Sequence, residues 1–192
     1  MDILTNILAA FGLSSSAGLN AYLPLLVVAL AGRYTHLVVL KSPWDTLESP
    51  WVIGALVVLL AIEFFADKIP AVNHVNDLIQ TIFRPTAGAI LFASTTQVVS
   101  NINPVVALIL GLLAAGTVHV AKSAVMRPAV TATTGGMANP VVSLAEDATA
   151  LVVSVLAVVL PVLLSAIIIL LTALVIWWLW RRAVRQRRAI AS

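Results

Sequence analysis

The sequence predicts an all-α membrane protein, a compact polytopic helix bundle in which two helices are broken or re-entrant. The first observation is composition. Of the 192 residues, 61% are apolar and 10% are charged, whereas a soluble domain is about 45–50% apolar and about a quarter charged. The second is the grouping of the apolar residues into runs that approach membrane length. The third is a pair of similar motifs, rich in hydroxyl and small residues, that interrupt these runs.

The apolar runs divide the chain into short helices. They cover residues 3–13, 17–32, 51–66, 86–99, 104–121, 141–160 and 162–180. Several are shorter than the ~20 residues that cross a hydrocarbon core, and Gly, Pro, Ser and Asn flank them. Non-helical backbone is tolerated at membrane depth only where protein or a wet cavity surrounds it. The pattern fits five or six full crossings equally, and so it leaves the side of the N-terminus open.

The two interrupting motifs resemble each other. Ser15-Ser16-Ala17-Gly18-Leu19 precedes Asn20, and Thr133-Thr134-Gly135-Gly136-Met137 precedes Asn139. Because hydroxyl side chains cap helix N-termini and Gly permits a turn, we interpret both motifs as helix starts within the membrane, the first with Ser14–Ser16 as its caps. Helix N-termini can hold an anion, and paired breaks favour an inverted repeat around a transporter site. The alternative is that the breaks only allow kinks and tight packing. The predicted binding residues are Ser15, Ser16, Gly18, Asn20, Thr133, Thr134, Gly136, Asn139, Arg84 and Arg127.

Charged residues lie within or at the edges of the apolar runs. A charge at the bilayer centre costs at least ~2.5–3.5 kcal/mol, so such groups pair or face water. We therefore expect an acidic set to meet Arg84, Lys122 and Arg127 across the bundle, with structural ion pairs as the alternative to a transport role. A polar stripe through Gln80 and Arg84 is either an interfacial surface or the wall of a cavity. The predicted coupling or gating residues are Glu63, Asp67, Asp77, Lys122, Glu146, Asp147 and His119.

The C-terminal residues indicate topology. Five of the eleven basic residues lie in residues 181–192, directly after an apolar run that ends in Trp-Trp-Leu-Trp. Aromatic residues followed by an arginine cluster predict a cytoplasmic C-terminus. The predicted organisation is a transmembrane bundle over residues 1–180 and an Arg-rich tail over 181–192. The tail is expected to contact anionic lipid rather than nucleic acid, since no basic domain surrounds it.

The small residues Ala107, Gly111 and Ala115 recur every four positions along one predicted helix face, which His119 extends. Such a face lets helices approach closely. It predicts packing either within the chain or between the subunits of a homodimer.

Four stretches carry a resemblance to a known family: SSAGLNAYLPLL, FADKIP, RPTAGA and TGGMANPVVSLAED. Over nearly the whole chain up to about Leu160, the sequence resembles the bacterial membrane family catalogued as domain of unknown function 4126. The resemblance implies a polytopic module of the bacterial cytoplasmic (inner) membrane and a more variable C-terminal helix. It implies no activity and no site residue.

The sequence thus favours a small transporter or channel with a polar site between two broken helices. Its expected partners are the lipid bilayer and a small ion whose sign is open. The basic residues and helix N-termini favour an anion, whereas the acidic residues favour a metal ion or a proton. One alternative is a flippase or scramblase of an anionic polyprenyl-phosphate lipid; another is a structural membrane protein. The sequence has no cysteine, no metal-spaced histidine pair and no catalytic motif, so we expect no enzyme, no metal and no cofactor.

Overall fold

All regular elements of the described residues are helices, which confirms the predicted all-α fold. A computed structural model describes residues 3–35, 37–66, 70–97 and 102–190; it gives only the backbone for residues 70–75, 77 and most of 162–190. The α-helices are α1 (Ile3–Leu19), α2 (Tyr22–Tyr34), α3 (Pro50–Ala66), α4 (Pro70–Thr96), α5 (Pro104–Ala121), α6 (Arg127–Thr134) and α7 (Asn139–Ile190), with a 3₁₀ turn at Trp44–Glu48 and a π turn at Lys122–Met126.

Helices α1 and α2 form a hairpin whose tip is Asn20. The N-terminal half of α1 packs against the C-terminal half of α4, where the rings of Phe11 and Phe92 lie 4.8 Å apart. Trp44, which follows α2 along the chain, packs into the same region with Ala10 and Phe92. Because the chain has returned after α2 to the level of Ala10, both open ends of the hairpin lie at one end of the bundle.

The break between α1 and α2 does not begin at the serines. Helix α1 is continuous from Ile3 to Leu19, and so the expectation that Ser14–Ser16 cap a helix start is wrong. The cap is Asn20, whose Oδ1 accepts hydrogen bonds from the backbone N–H groups of Tyr22 and Leu23, both at 3.0 Å. The serines face neighbouring helices instead: Ser14 donates to the Gly88 carbonyl at 2.9 Å.

Small residues let α4 and α5 approach each other closely. A Cβ atom at Gly111 would overlap the Gly88 carbonyl oxygen and lie 2.6 Å from Phe92 Cβ. A Cβ at Gly18 would likewise overlap the Ala115 carbonyl oxygen, so α1 joins the same crossing. The small-residue face of α5 therefore packs within the chain, against α1 and α4.

Helices α5 and α6 belong to one stretch, Pro104–Thr134, that is long and apolar enough to cross a membrane, as is Asn139–Pro161. The stretch widens at the π turn, where the Arg127 N–H bonds to the Lys122 carbonyl five residues earlier. Pro128 explains the widening, since proline lacks an N–H and its ring conflicts with the carbonyl four residues before it.

The second motif forms a tight turn between α6 and α7. Thr133 and Thr134 end α6 and are exposed, and Gly135 and Gly136 adopt positive φ angles of 62° and 86°. Both threonine hydroxyls donate to carbonyls of their own helix. The expectation that these threonines start a helix is therefore wrong; α7 begins at Asn139, after the turn, and runs past the predicted boundary at residue 180.

Candidate functional site: a buried ion-pair network at the hairpin tip

Arg84 in the middle of α4 is fully buried and carries the first ion pair. Its Nη2 lies 2.9 Å from Oε1 of Glu63, and the two side chains are 0% and 2% exposed. Glu63 lies near the C-terminal end of α3, so that this helix end reaches the level of the hairpin tip. Pro85 follows Arg84 inside α4. Because an isolated buried charge is very costly, the two side chains must stay paired as long as both are buried.

His119 on α5 extends the first ion pair. Its Nδ1 lies 3.3 Å from Nη1 of Arg84, and its Nε2 lies 3.1 Å from Oγ1 of Thr81. A guanidinium group has donors only, and Nδ1 must therefore accept. The ring proton then resides on Nε2, facing Thr81. These contacts fit a neutral imidazole, because a second ring proton would point at the arginine.

A second cluster lies one helical turn farther along. Lys122 Nζ is 2.8 Å and Arg127 Nη2 is 3.5 Å from the same oxygen, Oε2 of Glu146 on α7. All three side chains are buried. In an α-helix, residues five apart point about 140° away from each other, whereas a π turn stacks residues i and i+5. The π turn is thus what brings Lys122 and Arg127 to one carboxylate.

The hairpin tip meets this second cluster. Lys122 Nζ donates to the Leu19 carbonyl at the C-terminus of α1, at 2.9 Å. Asn20 Nδ2 donates to Oδ1 of Asp147, also at 2.9 Å, while its Oδ1 caps α2. A helix C-terminus carries a partial negative charge and an N-terminus a partial positive charge. The cation at the end of α1 and the acid near the start of α2 therefore match the two helix ends that meet at the tip.

Asn20 is expected to stabilise the tip measurably. Asn20→Ala removes the cap of α2 and the amide bond to Asp147, and should cost about 2 kcal/mol of unfolding free energy. Asn20→Ser retains a capping hydroxyl and loses only the bond to Asp147, so it should cost about half as much. Thermal unfolding of the two purified variants against the wild type measures the difference. Equal losses would show that the cap contributes little.

Several buried polar atoms in and beside the two clusters have no hydrogen-bond partner among the described residues. They include Nε of Arg84, Oε1 of Gln80 and Oε1 of Glu146. Gln80 lies one turn before Arg84 on the inner side of α4, whereas Leu78 and Ile82 on the outer side are exposed. The polar stripe of α4 thus faces inward at Gln80 and Arg84. Open donors and acceptors beside paired charges are what a small ligand, water or a proton needs.

The structure brings together most of the predicted charged residues but not the two motifs. Glu63, Arg84, His119, Lys122, Arg127, Glu146, Asp147 and Asn20 form the two clusters. Ser16 binds the Ala150 carbonyl and Ser154 on α7, and Ser15 is half-buried. Among the described residues, the side chains of Thr133, Thr134 and Asn139 bond to nearby groups of α6. Asp67 and the side chain of Asp77 lie outside the described residues.

The π turn is the feature that sequence reasoning missed. Its signal is present, since Pro128 stands inside a run that is otherwise helical in pattern. Sequence spacing alone places Lys122 and Arg127 on different helix faces, and nothing in the pattern indicates that both reach Glu146.

A family model matches residues 7–181 of the chain, a range that includes the hairpin tip, both clusters and the second turn. The chain belongs to the family described as domain of unknown function 4126. This match confirms the resemblance and extends past Leu160, where the likeness was expected to end. In the searches of curated proteins and of solved structures, nothing matches the chain. The DUF4126 match therefore supplies the family, while any function must be inferred from the geometry of the two clusters.

Proposed function

We propose that this protein is a membrane-embedded carrier of a small ion, with the two buried clusters as its binding and coupling site. The observation that supports it most is an inverted polarity. Arg84, Lys122 and Glu146 are at most 5% exposed, whereas Trp51 and Phe65 on α3 are 89% and 66% exposed. In water such apolar surface needs a cover, and in a bilayer the lipid provides it. The bacterial inner membrane is the compartment that we propose.

The arrangement of the helices supports transport over plain packing. In carriers, the ends of discontinuous helices meet charged groups near the membrane midplane. Here the α1–α2 tip meets Lys122 and Asp147, and α3 ends beside Arg84. Pairing lets these charges stay buried while the site is empty, and an arriving ion or proton can exchange for one partner. Ionisable residues at such depth mark ion pathways by default.

The size of the solute follows from the space around the site. The two described grooves, of about 710 and 280 Å³, are apolar and lie away from the charges, along Trp51 and Leu59 of α3 and between α1 and Pro161. The charged side chains themselves are buried and in direct contact at 2.8–3.5 Å, which favours a small charged group over a bulky polar solute.

Reconstitution tests the proposal. The purified full chain in proteoliposomes is expected to carry one ion of a panel of H⁺, Na⁺, K⁺, chloride and phosphate, with flux that saturates with concentration. Glu146→Ala should lower that flux at least tenfold, because it removes the acid that holds Lys122 and Arg127. Stopped-flow or radiotracer uptake measures it.

The matched control is Asp45→Asn, which neutralises an exposed acid in the loop after α2 and should leave the flux unchanged. An absence of flux for every ion of the panel would contradict transport, provided that a cooperative thermal unfolding transition shows the protein to be folded. Equal flux in wild type and Glu146→Ala would contradict the assignment of the site. Either result would favour a purely structural role for the ion pairs.

A further inference from the structure

We propose that the Lys122–Glu146–Arg127 cluster is an oxyanion-binding site in which the Glu146 carboxylate occupies the place of the ligand. The inference rests on the proposed carrier function and names its substrate class. The ligand is a small group with phosphate-like oxygens, either a free anion or the head group of a lipid. When it binds, the carboxylate leaves the two cations and the ligand oxygens replace it.

The geometry at Glu146 is that of an occupied anion site. Lys122 and Arg127 converge on one carboxylate oxygen, Oε2, at 2.8 and 3.5 Å. The other oxygen, Oε1, is buried and accepts no hydrogen bond from the described residues. Both cations thus contact one oxygen of the carboxylate, and its second oxygen has no donor among the described residues.

The electrostatic balance also favours an anion. Around Glu146 one negative charge faces two positive ones, while Asp147 directs an oxygen to the Asn20 amide. Arg84 is paired with Glu63 and also lies near enough to Lys122 to act on it electrostatically. Buried like charges repel strongly in a low-dielectric interior. Lys122 and Arg127 therefore stay together with an anion between them, a place that the Glu146 carboxylate holds in this structure and that the ligand takes when it binds.

The chemistry of the two cations fits tetrahedral oxyanions. Arginine presents planar paired donors and lysine a compact charge, the combination that phosphate sites use. The π turn sets the two side chains five residues apart on one side of the helix. Such a pair can contact two oxygens of one group. A carboxylate has only two oxygens, whereas phosphate offers more.

Titration calorimetry of the full chain in nanodiscs of zwitterionic lipid, with inorganic phosphate as the probe, tests the assignment. Glu146→Gln keeps the shape of the side chain but removes the competing charge. It is expected to bind phosphate at least tenfold more tightly than the wild type does. Adding Lys122→Met to Glu146→Gln should remove most of that binding. Asp45→Asn should match the wild type.

A second arm separates the two sources of the oxyanion. The same variants are placed in nanodiscs containing phosphatidic acid, and the retained lipid is counted by native mass spectrometry. Tighter retention in Glu146→Gln, without binding of inorganic phosphate, supports the site with a lipid head group as its ligand. Glu146→Asp, which keeps the charge but shortens the reach, covers the case that Glu146→Gln does not fold; it should tighten binding by a smaller factor.

The assignment is overturned if neither Glu146→Gln nor Glu146→Asp binds phosphate or phosphatidic acid more tightly than the wild type. Its failure is distinguishable from failure of the carrier function. Glu146-dependent flux of a cation, without oxyanion binding, would leave transport standing and remove the oxyanion site. Oxyanion binding that becomes tighter when Glu146 is replaced, without flux of any ion, would support the oxyanion site and contradict transport.

Discussion

Arg84→Met is expected to lower the free energy of unfolding by about 3–5 kcal/mol. The substitution leaves the Glu63 carboxylate buried without the guanidinium that lies 2.9 Å away, and breaking one side of a buried pair costs about this much. It also removes the contact with His119. Thermal or denaturant unfolding of the purified variant measures the loss. A loss below about 1 kcal/mol would show that water reaches the pair.

Removing both partners separates stability from function. Arg84→Met combined with Glu63→Leu should unfold within about 1 kcal/mol of the wild type, because an apolar pair of similar volume replaces a buried ion pair with little cost. Flux should still be lost, since the ionisable groups are gone. Arg33→Met is the matched control. Arg33 is exposed; its side chain donates to the Glu48 carbonyl and lies over the Tyr34 ring at 5.6 Å. Because both contacts are at the surface, the stability of this variant should differ from that of the wild type by no more than about 0.5 kcal/mol.

Gly111→Ala is expected to destabilise the bundle by about 1–3 kcal/mol or to prevent folding. The added methyl would meet the backbone of Gly88 and the Cβ of Phe92 at 2.6 Å, and neither can move without separating α4 from α5. Overpacking of a filled interior typically costs this amount. The yield of folded protein and its thermal unfolding report the effect.

Gly116→Ala on the same helix supplies the control. Its Cβ would meet only Pro85, at 3.9 Å, which is ordinary contact. Alanine is the better helix former by about 0.8–1.0 kcal/mol, so this variant should be as stable as the wild type or more so. Equal destabilisation at positions 111 and 116 would contradict the close crossing of α4 and α5.

The sequence predicts this structure well where chemistry is local and poorly where it depends on distant partners. Hydropathy predicts α1, α2, α3 and α5 closely, but it finds only the C-terminal part of α4 and divides α7 near Pro161. The cost of buried charge predicts that Arg84, Lys122 and Arg127 meet acids. The identity of each partner could not be predicted, because Glu63 and Glu146 are 21 and 24 residues away along the chain from the cations Arg84 and Lys122 that they bind. Three-dimensional packing decides such pairings.

The two motifs show why composition alone misleads about breaks. Hydroxyl residues favour helix starts in water-exposed positions, yet in a crowded interior they can bond to carbonyls of neighbouring helices. Ser14 and Ser16 do so and remain inside α1. At Thr133 and Thr134 the following glycines end the helix instead. Similar hydroxyl-rich motifs therefore lie inside helix α1 in one case and before an exposed turn in the other.

The α1–α2 hairpin has a consequence for biosynthesis. It is the first part of the bundle to leave the ribosome, but two residues near its tip bond to the helix that is made last: Ser16 and Asn20 bond to groups 134 and 127 residues later. Until α7 is made, the tip has neither Asp147 nor the completed Lys122–Glu146 pair beside it. The contacts of the hairpin tip therefore remain incomplete until α7 is inserted.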